Sequence, residues 1–213
     1  MPPRVGWLFS RRGLDSSRKI RLLRFSVSNY CDLHAISINI VLVDESPALQ
    51  IVAELEPYKV NFSKIDTKNL IYVHKQKVGG NVYRGQTKNT APFLSHGIGT
   101  MAYEDGKVYE GYWENGKRCG HGRLVYPNGS IYIGEYSNDL ANGNGVFENV
   151  RGYRYEGQWL NDGLHGTGIE TWTETGMKFV GAFVDSKKRG KGRFDWADGS
   201  YYEGDFEDDL FHG

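Results

Sequence analysis

Cysteine, proline and long apolar runs are all scarce in this 213-residue sequence. There are 2 cysteines, Cys31 and Cys119, and 6 prolines. Two cysteines in different regions support neither a disulfide framework nor a cysteine-based zinc site, which fits a reducing compartment. The longest apolar run, Ile36 to Val43, spans eight residues and includes Ser37 and Asn39. A membrane-spanning helix needs about 18. The net charge is zero, but it cancels two unlike parts. Residues 1–90 carry 14 Lys/Arg against 7 Asp/Glu, and residues 91–213 carry 12 against 19. Neither imbalance is large enough to require nucleic acid as a partner. Glycine is missing from one stretch: none lies between Leu14 and Val78, whereas 26 of the 28 fall at or after Gly79. A boundary near residue 79 follows.

Beyond it the glycines recur in pairs. The first glycine of each G-x-G pair falls at Gly97, Gly120, Gly143, Gly166 and Gly190, with Gly213 next in line, a period of 23 with one slip to 24. A fixed period of about 20–50 residues marks a repeat architecture. An aromatic-x-Gly-x-aromatic segment opens the copies: Tyr109 to Trp113, Tyr132 to Tyr136, Tyr155 to Trp159, Phe179 to Phe183 and Tyr202 to Phe206. Tyr83-Arg84-Gly85 with Gly97-Ile98-Gly99 is a weaker member upstream.

Before the repeats, residues 1–31 form a basic arm: Arg4, Arg11, Arg12, Arg18, Lys19, Arg21 and Arg24 against Asp15 alone in its first 26 positions. The composition is that of a mitochondrial transit peptide, but its apolar residues form no clean helical stripe. A disordered arm is the reading, with mitochondrial targeting the alternative. Residues 32–78 read as a small β region. Ile36 to Val43 alternates with period two, and Leu49–Leu55, Tyr58–Phe62 and Leu70–Val73 are further candidate strands. Gly79-Gly80-Asn81 turns the chain into Tyr83.

Within one repeat, Tyr109, Gly111 and Trp113 are two apart and share a strand face; Glu110, Tyr112 and Glu114 share the other. Gly120, Gly122, Leu124 and Tyr126 line one face of the returning strand. Asn128-Gly129 signals a hairpin. Each copy is therefore a β-hairpin, and residues 79–213 are an all-β, elongated antiparallel meander of about eleven strands. An aromatic ring can lie flat over a glycine on the neighbouring strand. The aromatic face collects Tyr109, Trp113, Tyr126, Tyr132, Tyr136, Tyr155, Trp159, Trp172, Phe183, Trp196, Tyr202 and Phe206, which serve as core, as a protein-binding surface, or as both.

Tyr-Glu-Gly-x-Trp followed by Asn-Gly-Lys-Arg-x-Gly-x-Gly and Tyr-Pro-Asn-Gly resembles the MORN repeat (membrane occupation and recognition nexus) over about residues 83–213. The first copy departs from it, with extra residues between Gly85 and Gly97 and Thr87 in place of a ring. The resemblance implies a twisted β scaffold of the kind found in ciliary radial-spoke heads, junctophilins and protist cytoskeletal organisers. In plant lipid kinases and a SET-domain methyltransferase such repeats flank a separate catalytic domain.

Other motifs have plainer readings. Gly111 to Lys117 imitates a phosphate loop, but Arg118 replaces the required Ser/Thr and no helix pattern follows. His96, His165 and His212, near the first G-x-G glycines, are about 9–10 Å apart from copy to copy, too far to share a metal ion. They read as turn residues. Glu110, Glu156 and Glu203 form a carboxylate ladder on the face opposite the rings, expected to be solvated. Lys187, Lys188, Arg189, Lys191 and Arg193 are the densest basic cluster, either a solvated turn or a contact for anionic lipid head groups. No cofactor or metal is indicated. The expectation is a non-enzymatic, cytoplasmic scaffold for protein–protein interaction in a cytoskeletal, ciliary or membrane-associated assembly. The alternatives are a phospholipid-binding module, or the regulatory part of an enzyme whose catalytic domain lies beyond Gly213. The strand Tyr202 to Phe206, with no returning partner expected, would present an edge for self-pairing.

Overall fold

The computed structural model describes residues 47–56, 58 and 69–212. The basic arm, the candidate strand at 36–43 and all of the candidate strand Tyr58–Phe62 but Tyr58, which is in no strand, lie outside them. One short helix, α1 (Pro47–Glu54), precedes thirteen strands. These are β1 (Leu70–Val78), β2 (Asn81–Lys88), β3 (Ser95–Ala102), β4 (Val108–Glu114), β5 (Lys117–Val125), β6 (Ile131–Ser137) and β7 (Leu140–Glu148). They continue as β8 (Tyr153–Leu160), β9 (Gly163–Trp172), β10 (Met177–Val184), β11 (Lys187–Asp195), β12 (Tyr201–Glu207) and β13 (Leu210–His212). All thirteen form one antiparallel meander in sequence order.

Two kinds of turn alternate. The first is a two-residue hairpin in which both residues have positive φ, as at Asn115 (51°) and Gly116 (84°), Asn138 and Asp139, Asn161 and Asp162, and Asp208 and Asp209. Asn, Asp and Gly tolerate this left-handed geometry best, and such turns match the twist of the strands they join. The second is longer. From Tyr126 to Ser130 only Gly129 has positive φ, and Asn128 Oδ1 accepts the Ser130 N–H at 3.0 Å.

The two glycines of G-x-G have different causes. Gly111 faces Gly122, but two residues further on Trp113 faces Arg118, so the returning strand bulges between them. Gly120 sits in that bulge at φ 61°, a conformation costly for any residue with a Cβ. Gly122 instead lies beneath the Tyr109 ring, where an added Cβ would strike the ring.

Several expectations change. Of the candidate strand at 49–55, residues 49–54 are helical rather than extended and Leu55 follows the helix in a bend. Pro47 suits a first helical position, Ala48, Leu49 and Gln50 favour helix, and Leu49 and Val52 form one apolar stripe. That stripe packs on Val108 and Val125. The sheet begins at Leu70, ahead of Gly79. From Asn81 onward it has twelve strands rather than eleven, because β13 does form and pairs with Asp205 to Glu207. The histidines His96, His121, His165 and His212 are strand residues, not turn residues.

The core lies on both faces of the sheet. On the ring face, Tyr83, Tyr109, Trp113, Tyr132 and Tyr136 pack together, and Tyr155, Phe179, Phe183 and Phe206 continue the layer. On the opposite face, α1 covers Val108 and Val125.

Candidate functional site

Edge-to-face contacts run along the ring face without a break. Ring centroids are 5.7 Å apart from Tyr83 to Trp113, 5.1 Å from Trp113 to Tyr109 and 5.2 Å from Tyr109 to Tyr136. The series continues at 5.2 Å to Tyr132, 5.0 Å to Trp159 and 5.3 Å to Tyr155. It then passes through Phe183 and Phe179 to Phe206 at 5.2, 5.3 and 4.9 Å. This T-shaped geometry puts the positive edge of one ring on the negative face of the next. Each leading tyrosine also donates its hydroxyl to a carbonyl three residues on, as Tyr109 does to Tyr112 O at 3.0 Å and Tyr155 to Gln158 O at 2.8 Å. Phe179 lacks that hydroxyl. The indoles of Trp113 and Trp159 reach across to Gly99 O (3.1 Å) and Gly145 O (3.2 Å).

Of the ring-face residues singled out from sequence, Tyr109, Trp113, Tyr132, Tyr136, Tyr155, Phe183 and Phe206 are buried. Tyr126, Trp159, Trp172, Trp196 and Tyr202 are half-buried. The half-buried rings Tyr126, Phe147, Tyr153, Trp172 and Phe194 form a second row, spaced 5.8 to 6.5 Å. Beside them a groove of about 850 Å³ runs from the β1–β2 turn to β9, with Met101, Leu124, Tyr132, Ala141 and Trp159 in its wall. Among the described residues no helix or strand packs over this face. Burial holds the groove's phenols neutral, with the Tyr103 hydroxyl pushed up to about 12 by burial despite nearby Arg118.

Charged residues that the sequence reading passed over complete the groove. The Arg118 guanidinium lies over the Tyr136 and Tyr109 rings at 5.0 and 5.7 Å, with Nε 3.5 Å from Asp139 Oδ1. Asp139 and Asp162 come from successive two-residue turns, and each is bonded back to the strand beside it. Arg118 N–H donates to Asp139 Oδ1 at 2.8 Å, and Asp139 N–H returns to Arg118 O at 3.0 Å. Ala141 with Asp162, Leu164 with Ser186 and Lys188 with Asp209 repeat this exchange. The signal in the sequence was the Asn or Asp that opens each two-residue turn, followed by Asp in Asn138-Asp139, Asn161-Asp162 and Asp208-Asp209, legible once the copies are aligned.

The five basic residues of β11 do not present a single free patch. Lys188 turns onto the ring face, where its side chain is 13% exposed and its Nζ is 2.5 Å from Glu170 Oε2. The other four meet acids of β11, β12 and the following turn. Lys187 pairs with Asp208 at 3.7 Å, Arg189 with Glu207 at 3.8 Å, Lys191 with Asp205 at 2.6 Å and Arg193 with Asp195 at 2.7 Å.

The carboxylate ladder is uneven. Glu156 and Glu203 are exposed as expected, but Glu110 is fully buried. Its Oε2 accepts from Arg123 Nε and Nη2 at 2.8 and 2.5 Å, and Arg123 Nη1 donates to Glu56 O at 3.0 Å. Burial pushes the Glu110 carboxyl up, against the pull of Arg123. Tyr58 lies over Arg123 and bonds through its hydroxyl to Nδ1 of His121. The segment after α1 is thus a cover over β4 and β5, and it desolvates a glutamate that the repeat pattern alone would leave wet.

The MORN-repeat family matches residues 109–131, 132–152, 155–176, 179–201 and 202–213. No curated protein matches the chain. Among solved structures it is similar to the TCP domain of SAS-4 (dCPAP) of Drosophila melanogaster, solved in complex with a proline-rich motif of Ana2 (dSTIL). That likeness is 15% identity over 70% of this chain and 83% of that one, with a TM-score of 0.35. The weaker copy at β2 and β3 shares the hairpin geometry but lies outside the matched span. The five matched copies fall on five successive hairpins from β4 to β13, so residues 109–213 are an array of MORN repeats.

Proposed function

We propose that this chain is a non-enzymatic scaffold that binds segments of partner proteins along its ring face. One observation carries the reading: half-buried rings line an uncovered groove of about 850 Å³ spanning three repeats. Protein interfaces concentrate their binding energy in Trp, Tyr and Arg held in well-packed surroundings, and Trp159, Tyr126 and Arg118 are presented in that way. Arg118 pairs with Asp139 and Lys107 with Asp105, and the groove's phenols stay neutral, which suits contact rather than proton transfer. A cytoskeletal, ciliary or membrane-associated assembly in the cytoplasm is the setting that the MORN family favours.

Partner sets recovered from cells by affinity purification test this. Phe147→Arg in the groove should lose partners that Val180→Arg on the opposite face retains. An identical loss, or none, from both variants removes the groove from the function.

A second reading, contact with anionic lipid, is favoured only by the exposure of Lys191, 82% at the side chain. Vesicles of anionic lipid, to which each basic residue near the surface is drawn by about 1 kcal/mol, separate it from the first. Binding that survives neutralisation of Lys187, Arg189 and Lys191 excludes that cluster. Self-pairing is favoured by the exposed Leu210 and Phe211 on β13, and light scattering of the chain reads it directly.

A further inference from the structure

Superposing the repeats isolates one column of side chains on the ring face. The second residue of the returning strand is Arg118 in β5, Ala141 in β7, Leu164 in β9 and Lys188 in β11. The two cations in that column have like surroundings. Arg118 lies over Tyr136 and Tyr109 at 5.0 and 5.7 Å and meets Asp139 of the next turn. Lys188 lies over Phe179 at 5.1 Å, with its Nζ 3.6 Å from Asp209 of the next turn. The unit is an aromatic wall plus a carboxylate supplied by the following hairpin.

At Ala141 the same surroundings recur without the cation. Tyr132 and Trp159 stand edge-to-face at 5.0 Å, in the places of Tyr109 and Tyr136, which are 5.2 Å apart. Asp162 Oδ1 accepts the Ala141 N–H at 2.6 Å, as Asp139 Oδ1 accepts that of Arg118. Asp139 and Asp209 each meet a cation, whereas Asp162 meets none among the described residues. The Ala141 methyl leaves open the space that a longer side chain fills one repeat earlier, and the groove passes between Tyr132, Trp159 and Asp162 at that point. Leu164 does not repeat the arrangement: its neighbour from the next turn is Ser186, which has no charge.

The geometry points to an unfilled cation site at Ala141 that accepts an arginine side chain of a partner protein between Tyr132, Trp159 and Asp162. This rests on the ring-face groove being the protein-binding surface, and it names the chemistry the groove selects. Arginine fits better than lysine, because a planar guanidinium stacks on a ring while pairing with a carboxylate. The aliphatic stem lies on the apolar wall, with Ala141 and Leu164 beneath it.

The test uses the full chain and a small probe, so it needs no partner. N-acetyl-arginine amide is titrated into ¹⁵N-labelled protein, and the Trp159 indole N–H, bonded to Gly145 O, is the reporter. The Trp159 signal should shift saturably, and N-acetyl-citrulline amide, of equal size and no charge, should bind about threefold or more weakly. Ala141→Arg supplies the cation from the chain itself and should abolish the response, with an unchanged Trp113 indole signal showing that the sheet is intact. Asp162→Asn keeps the bond to Ala141 N–H, should weaken probe binding, and decides the matter alone if Ala141→Arg does not fold. No response to the arginine probe, equal responses to both probes, or binding undiminished in Asp162→Asn overturns the site. Any of these results would leave the groove itself standing, since the partner comparison of Phe147→Arg with Val180→Arg is independent of it.

Discussion

Removing Glu170 and Lys188 together should harm the protein far less than removing either alone. Both side chains are on the ring face, 7% and 13% exposed, with Nζ 2.5 Å from Oε2. The Tyr153 hydroxyl donates to Glu170 Oε1 at 2.6 Å, and Lys188 lies near the Trp172, Phe179 and Phe183 rings. The repeats show what these positions hold otherwise. Glu170 stands where other copies have Leu124, Phe147 and Phe194, and Lys188 where they have Arg118, Ala141 and Leu164. The pair is thus an ionic insertion into an apolar layer. Lys188→Leu leaves a buried carboxylate with one hydroxyl for company, and breaking a buried pair in this way costs about 3–5 kcal/mol. Glu170→Leu should cost somewhat less, about 2–4 kcal/mol, because Lys188 keeps Asp209 at 3.6 Å. The double change to leucine restores an apolar layer and should lie between neutral and about 3 kcal/mol more stable than the parent. Urea midpoints of the four proteins, with slopes compared so that loss of cooperativity in the array is seen, give the coupling energy. Single effects that merely add, with a coupling below about 0.5 kcal/mol, would mean the pair is solvated and the reasoning is wrong.

Three further outcomes are expected. Trp159→Ala should cost about 3 kcal/mol and Glu156→Ala no more than about 0.5, since Trp159 bridges two rings while Glu156 holds only an exposed pair with Arg154; equal denaturant midpoints would reverse the faces. Gly122→Ala should cost about 2–3 kcal/mol by driving a methyl into the Tyr109 ring, against about 1 for Gly190→Ala, which meets only its positive φ. Burial holds the His121 imidazole below its usual range, so the unfolded chain binds more protons and stability should fall as pH drops below about 6.5. His121→Gln should flatten that part of the profile; a profile unchanged by the substitution would detach His121 from the cover.

Pairing order and the two faces of the array were legible because three signals repeat in step. The lead aromatic, the G-x-G pair and the Asn/Asp turn recur at one spacing, so parity assigns every residue between them to a face. What periodicity could not give was a residue whose environment is set from outside the repeat. Lys188 belongs by composition to a basic run, and only its place in the hairpin, opposite Phe183, turns it from that run into the ring layer. Residues 49–55 misled for another reason. Seven mostly apolar residues satisfy a buried strand or a helix stripe equally well, and the helix formers Ala48, Leu49 and Gln50 decide for helix once a surface is available to bury Leu49 and Val52.

That surface has a sequence trace of its own. The residue before each lead aromatic points away from the rings, and along the array it reads Val82, Val108, Ile131, then Arg154, Lys178 and the exposed Tyr201. The apolar members and the polar ones change over between β6 and β8. The cover follows the change: α1 packs on Val108 and Val125 with Ile131 at its margin, and Arg154 beyond is paired with Glu148 and Glu156 in solvent. Burying four aliphatic side chains stabilises the covered region by about 1.5–3 kcal/mol apiece at most, enough to offset the desolvation of one glutamate that keeps its arginine. Glu110 and Glu156 therefore occupy equivalent positions in their repeats with opposite environments, and the cause lies two residues before each, on the same face. In a repeat array, a motif residue takes its chemistry from its neighbours on the same face before it takes it from the motif.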